Sequence, residues 1–87
     1  MDSRTLVAWN LRALRVKAGV SQEALAVDAA VDRTYVSRLE RCLENPTVGV
    51  LDRLAHALSV DITAFFAEPK PSEKPPAVLK KGRKRKI

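Results

Sequence analysis

Eighty-seven residues carrying sixteen Lys or Arg against ten Asp or Glu, a formal charge of +6, make one small domain whose marginal core invites help from a partner subunit. A single cysteine closes no disulfide within the chain, and with a single histidine (Cys42, His56) it builds no four-ligand metal site, so a reducing cytoplasm, no metal and no cofactor are expected. The longest apolar runs fall short of the roughly 20 residues that span a bilayer, and the amino terminus lacks a basic-then-apolar export signal, so a soluble cytoplasmic protein without membrane contact is expected.

From Thr5 to Ala18, Val7, Leu11, Leu14 and Ala18 share one helical stripe with Arg12, Arg15 and Lys17 off it, and Gly19 follows as a stop. Trp9 lies off that stripe and is expected to cover the core edge. Ser21 is a good N-cap for a short second helix, roughly 21 to 29, with Leu25, Ala26 and Ala29 on one face. After a connection of about three residues, Asp32 is expected to cap a third helix through about Arg41. Pro46 and Thr47 break and restart the chain, and Leu51, Leu54, Ala55 and Leu58 repeat at helical spacing to about Leu58. Asp61 is expected to cap a last short helix holding Ile62, Phe65 and Phe66, ended by Glu68 and Pro69. No period-two strand pattern and no internal repeat interrupts this order, so the domain is expected to be all-α.

Beyond Pro69 the composition changes to KPSEKPPAVLKKGRKRK, which holds too little apolar surface for a core. Division of the charge matters more than its total. Residues 1–68 hold eight basic and nine acidic groups, whereas residues 69–87 hold eight basic groups and only Glu73. The chain therefore divides into a nearly neutral domain, 1–68, and a basic tail, 69–87. Affinity of the domain for a polyanion has to rest on where its charges lie.

The stretch DRTYVSRLERC brings those charges together. At about 100° per residue, Arg33, Ser37, Arg41, Thr34 and Arg38 fall in one arc of about 140°, while Tyr35, Leu39, Leu43, Val36 and Glu40 fill the opposite arc. Three guanidiniums on one arc repel one another, yet they suit a polyanion, and arginine forks onto the O6 and N7 of guanine. A merely solvated polar face is the plain alternative. A capped helix just before this one favours recognition, because two such helices let one enter a major groove while the other braces on the backbone.

The run NLRALRVKAGVSQEALAVDAAVDRTYVSRLERCLENPTVGVLDRLAHALSV resembles the lambda-repressor-like, or Xre/Cro-type, helix-turn-helix family over about residues 5 to 66. The likeness is carried by LRxLR, G-x-SQ-x-x-LA, RTYVSxxER and NPT before a leucine-rich helix. It implies a compact five-helix all-α domain, with the helix-turn-helix at about 21–41, acting as a bacterial or phage-encoded, nucleoid-associated transcriptional regulator, a repressor or activator, that dimerises on inverted half-sites in double-stranded DNA. Position by position, Arg33, Thr34 and Arg38 match base-reading sites. Gln22, Tyr35, Ser37, Arg41 and Asn45 match backbone contacts, although Tyr35 fits half-buried packing equally well. Arg15 and Glu40 match a partly buried structural ion pair. Val50, Leu58, Ile62, Phe65 and Phe66 match a dimer interface, with a purely intramolecular core as the alternative.

Two positions depart from the family pattern: Cys42 and Ala30 stand where glycine is common, and each is expected to cost about 1 kcal/mol where the backbone turns left-handed. Cys42 reads as a packed small residue, with a redox-sensing thiol as the alternative. Glu44 sits near the expected phosphate path and weakens binding there unless it points away. His56, without a catalytic arrangement around it in sequence, reads as a surface or edge residue, and no enzyme is expected. Lys80, Lys81, Arg83, Lys84, Arg85 and Lys86 are expected to add salt-sensitive, sequence-independent contacts. An antitoxin-type protein that neutralises a toxin or other protein partner and regulates its own operon is the competing reading.

Overall fold

In a computed structural model, which describes residues 1–69, four α-helices are followed by a single 3-10 segment: α1 Ser3–Lys17, α2 Gln22–Ala29, α3 Arg33–Glu40, α4 Val48–Ala57, then Ile62–Phe66. No strand occurs among the described residues. α1 packs against the 3-10 segment and α3, and α2 packs against α3 and α4. Leu11, Leu25, Val36, Leu39, Leu54 and Phe65 are fully enclosed at the centre. Burial of one such side chain is worth about 1.5–3 kcal/mol.

Side-chain caps start three helices. Asp2 accepts from the Thr5 N–H at 2.9 Å, Ser21 Oγ from Ala24 at 3.0 Å, and Thr47 Oγ1 from Val50 at 3.1 Å. The Asp2 cap starts α1 two residues before the Thr5 expected from the apolar stripe. Asp32 departs from expectation in the other direction. Its backbone is extended before α3 but its side chain makes no capping bond, so no side chain caps the end of α3 that carries Arg33 and Thr34.

All four helices end in the same way. Gly19, Ala30, Cys42 and Ser59 adopt left-handed backbone with φ of 72°, 60°, 62° and 58°. In each case the next residue donates its N–H to a carbonyl five residues back: Val20 to Arg15, Val31 to Ala26, Leu43 to Arg38, and Val60 to Ala55, at 2.9 to 3.1 Å. These are Schellman turns, in which an apolar residue follows the left-handed one and packs back on the helix. Val20, Val31 and Val60 pack against the core, whereas Leu43 is exposed. Glycine is the residue that adopts this conformation without strain, and only α1 has it.

The expected fifth helix is a correction. Ile62–Phe66 forms a five-residue 3-10 segment, and both of its ends are held by side chains from outside it. Asp61 accepts from the Thr63 N–H at 3.0 Å, and the amide Nδ2 of buried Asn10 lies 3.0 and 2.8 Å from the carbonyls of Phe65 and Ala67. Phe65 needs a second correction. Its side chain is fully buried, so it belongs to the intramolecular core and offers no surface to a partner.

Candidate nucleic-acid interface

Two anchors fix α3 on its inner side. Val36 and Leu39 are buried in the core. Beside them Arg15 from α1 meets Glu40 from α3 edge to edge, Nε to Oε2 and Nη2 to Oε1, the latter at 2.9 Å. Two further bonds hold the pair. Arg15 Nη1 donates to the Val20 carbonyl at 2.9 Å, and Gln22 Nε2 donates to Glu40 Oε1 at 3.0 Å. Additional hydrogen bonds offset part of the cost of burying an ion pair, and here one network ties α1, the first turn of α2 and the end of α3 together.

The outer side of α3 carries the polar arc. Arg33, Thr34 and Arg41 are exposed, Ser37 and Arg38 half-buried. The arc is contiguous, but its three arginines are not equivalent. Arg38 Nε donates to Glu44 at 2.8 Å and its Nη2 to the Leu43 carbonyl at 3.1 Å. Glu44, expected near the phosphate path, thus turns its carboxylate onto an arginine of the same face. Tyr35 is half-buried and packs on the core. Burial first, and then the nearby Glu44 carboxylate, push its phenol above the usual value, with Arg53 opposing. Asn45 is exposed in the connection to α4, and Gln22, bonded to Glu40, lies against α3 as a brace.

Several contacts have no signal in local sequence. Asn10 sits on the buried side of α1 and reaches carbonyls more than fifty positions away. Arg53 on α4 donates to the Ala29 carbonyl at 3.0 Å, closing the end of α2. Cys42 is half-buried, with Sγ 3.6 Å from Thr5 Oγ1, in keeping with a packed small residue. His56 is exposed and shares a surface depression with Asp28, Asp52 and Asp61, away from α3. Trp9 is half-buried. Val50, Leu58 and Ile62 pack against the core while Phe66 stands 43% exposed. The tail residues Lys80, Lys81, Arg83, Lys84, Arg85 and Lys86 lie outside the described residues. No helix among the described residues is long and apolar enough to cross a membrane.

A family model described as a helix-turn-helix domain matches residues 6–64. The chain belongs to that helix-turn-helix family. A protein of Neisseria meningitidis named as a hypothetical transcription factor is 44% identical over 59 residues, 68% of this chain and 56% of its own length. The helix-turn-helix chain therefore spans little more than half of that relative. Among solved structures, the hypothetical transcription factor NHTF from Neisseria superposes with a TM-score of 0.75 at 40% identity, covering 78% of each chain. The restriction-modification controller protein C.AhdI from Aeromonas hydrophila superposes with a TM-score of 0.71 at 35% identity, over 72% of this chain and 96% of its own. The relatives of this helix-turn-helix domain are thus named as a hypothetical transcription factor and a restriction-modification controller protein.

Proposed function

We propose that the protein is a sequence-specific regulator of transcription that lays α3 in the major groove of double-stranded DNA. The observation that carries this reading is the division of α3 into two faces. Val36, Leu39 and Glu40 lock its inner side, while Arg33 and Thr34 stand exposed at its uncapped amino-terminal end. In helix-turn-helix complexes the first residues of the second helix meet base edges while the first helix crosses the backbone. Arg33 has a free guanidinium fork for a guanine, Thr34 a hydroxyl for base or phosphate, and Arg38 a second fork one turn on. Gln22, Tyr35, Ser37, Arg41 and Asn45 then meet the sugar-phosphate backbone.

The same reading includes a two-fold symmetric dimer on inverted half-sites. Phe66 is exposed, and Ile62, Leu58 and Val50 are half-buried, so each leaves apolar surface available to a self-complementary contact. Such a dimer presents its two α3 helices about one turn of DNA, roughly 34 Å, apart. The basic tail, 80–86, adds phosphate contacts that weaken as salt rises.

Selection of bound duplexes from a random-sequence library at near-physiological salt tests the reading. An enriched inverted repeat is the expected result. Binding with no enriched sequence that disappears as salt rises contradicts it, and a monomer by sedimentation both with and without DNA contradicts the dimer.

A further inference from the structure

Arg38 leaves α3 in its last turn, and the chain that follows folds back over it. The left-handed turn at Cys42 reverses the backbone, and the Leu43 N–H returns to the Arg38 carbonyl at 2.9 Å. That reversal sets two acceptors beside the Arg38 side chain. Glu44 Oε2 takes the Nε–H at 2.8 Å, and the Leu43 carbonyl takes an Nη2–H at 3.1 Å. Nε and Nη2 form one edge of the guanidinium plane, so the protein's own connection fills that edge. An arginine has five N–H donors in a fixed fork. Of the three left over, one on Nη1 and one on Nη2 make up the distal edge, which matches the O6 and N7 of a guanine.

Stability does not account for the pair. The Arg38 and Glu44 side chains are 44% and 29% exposed, and exposed ion pairs contribute little. The carboxylate also lowers the positive charge of a face otherwise supplied by Arg33 and Arg41, which weakens attraction to a polyanion. Such a contact has a clear use if it fixes where the guanidinium points. An unrestrained arginine loses its rotamer freedom on binding, whereas one held at Nε and Nη2 meets the base edge already aimed.

We propose that Glu44 is a positioning residue for base recognition: with the Leu43 carbonyl it holds the distal edge of Arg38 outward to read one guanine per half-site, while lowering affinity for arbitrary duplex. This rests on α3 being the DNA-reading helix.

The test compares wild type with Arg38→Ala, Glu44→Ala and Glu44→Gln in selection from one random-duplex library at one near-physiological salt. Glu44→Gln keeps an acceptor for the Arg38 Nε–H and removes the charge, while Glu44→Ala removes both. Arg38→Ala and Glu44→Ala are expected to lose preference at the same base pair, the latter by about tenfold. Glu44→Gln keeps most of that preference, and both Glu44 variants bind arbitrary duplex more tightly. In the free protein, NMR-detected hydrogen exchange of the Arg38 Nε–H is slow in wild type and Glu44→Gln and fast in Glu44→Ala. Tighter binding by Glu44→Ala with base preference intact would overturn the proposal and make Glu44 a simple competitor of phosphate. A change uniform across all sequences would overturn it as well. A wild type that enriches no sequence defeats both the proposal and the reading of α3, whereas a defect in Arg38→Ala that Glu44→Ala does not share defeats the proposal alone.

Discussion

Arg15 and Glu40 meet with side chains 6% and 3% exposed, and Arg38 and Glu44 meet with side chains 44% and 29% exposed. The partners are chemically the same, and both pairs involve α3. Their surroundings differ. The inner pair is cut off from water, joined by two bonds along one edge of its guanidinium and further tied to Val20 and Gln22. Loss of either partner strands a buried charge. The outer pair keeps access to solvent, and loss of its carboxylate leaves an arginine that water solvates. One pair therefore sets where α3 lies, and the other bears on what α3 presents.

The largest expected effect breaks the inner pair. Glu40→Ala strands the Arg15 guanidinium and is expected to lower unfolding free energy by about 3–5 kcal/mol, read by urea denaturation. The double variant Arg15→Met, Glu40→Leu removes both charges and should cost less than that single change, because apolar residues of similar volume avoid the desolvation penalty. A double variant as damaging as the sum of two singles would mean that the ions do not act as a pair. Glu44→Ala in the same assay sharpens the contrast, with an expected change of about 0–1 kcal/mol.

A smaller effect comes from the turns that end the helices. Ala30→Gly, Cys42→Gly and Ser59→Gly each relieve a left-handed non-glycine residue, and each is expected to raise stability by about 0.5–1 kcal/mol in thermal or urea unfolding. Cys42→Gly is the informative member, because the Cys42 turn also delivers Leu43 and Glu44 to Arg38. A stabilised Cys42→Gly variant that keeps its base preference is expected, since glycine preserves the turn.

The smallest effect depends on pH. The carboxyls of Asp2 and Asp61 are held below their ordinary value of 3.8, chiefly by the backbone N–H groups of Thr5 and Thr63. A depressed carboxyl contributes stability that is present above the ordinary value and is lost as pH falls through the lowered one. Acid melts of Asp2→Asn and Asp61→Asn should therefore fall less steeply below about pH 4 than those of wild type. Equal slopes would show that the caps contribute nothing there.

The sequence made the local order of the fold legible because caps and stripes are local signals. Ser21, Thr47 and Asp61 stand where the first turns begin, and Gly19 where α1 ends. Cys42 and Ala30 stood out as places where glycine was missing, and both are left-handed; Ser59 makes the same turn and carried no comparable signal. Asp2 lies before the apolar stripe and so gave α1 a late start. The Arg15 to Glu40 pair was legible only through likeness to a family, since nothing local joins positions 15 and 40. Phe65 was misplaced for a physical reason: two adjacent phenylalanines read alike in sequence, and the turn of the 3-10 segment alone buries one and exposes the other. Asn10 and Arg53 were missed because their acceptors are backbone carbonyls, which no side-chain pattern reveals. Of the candidate interface, the polar arc on α3 was legible from its spacing, while the bond from Arg38 to Glu44 crosses a chain reversal that spacing alone does not show.

The most direct measurement is the affinity of wild type and Arg33→Ala for a selected duplex and for a scrambled one of equal length, at one near-physiological salt. Arg33 is exposed at the uncapped end of α3 and bears no part of either ion pair, so its loss leaves the fold intact. If α3 reads bases, Arg33→Ala loses about 1–3 kcal/mol on the selected duplex and almost nothing on the scrambled one. An equal loss on both duplexes would contradict the account and reduce the outer face of α3 to a sequence-blind contact with phosphate.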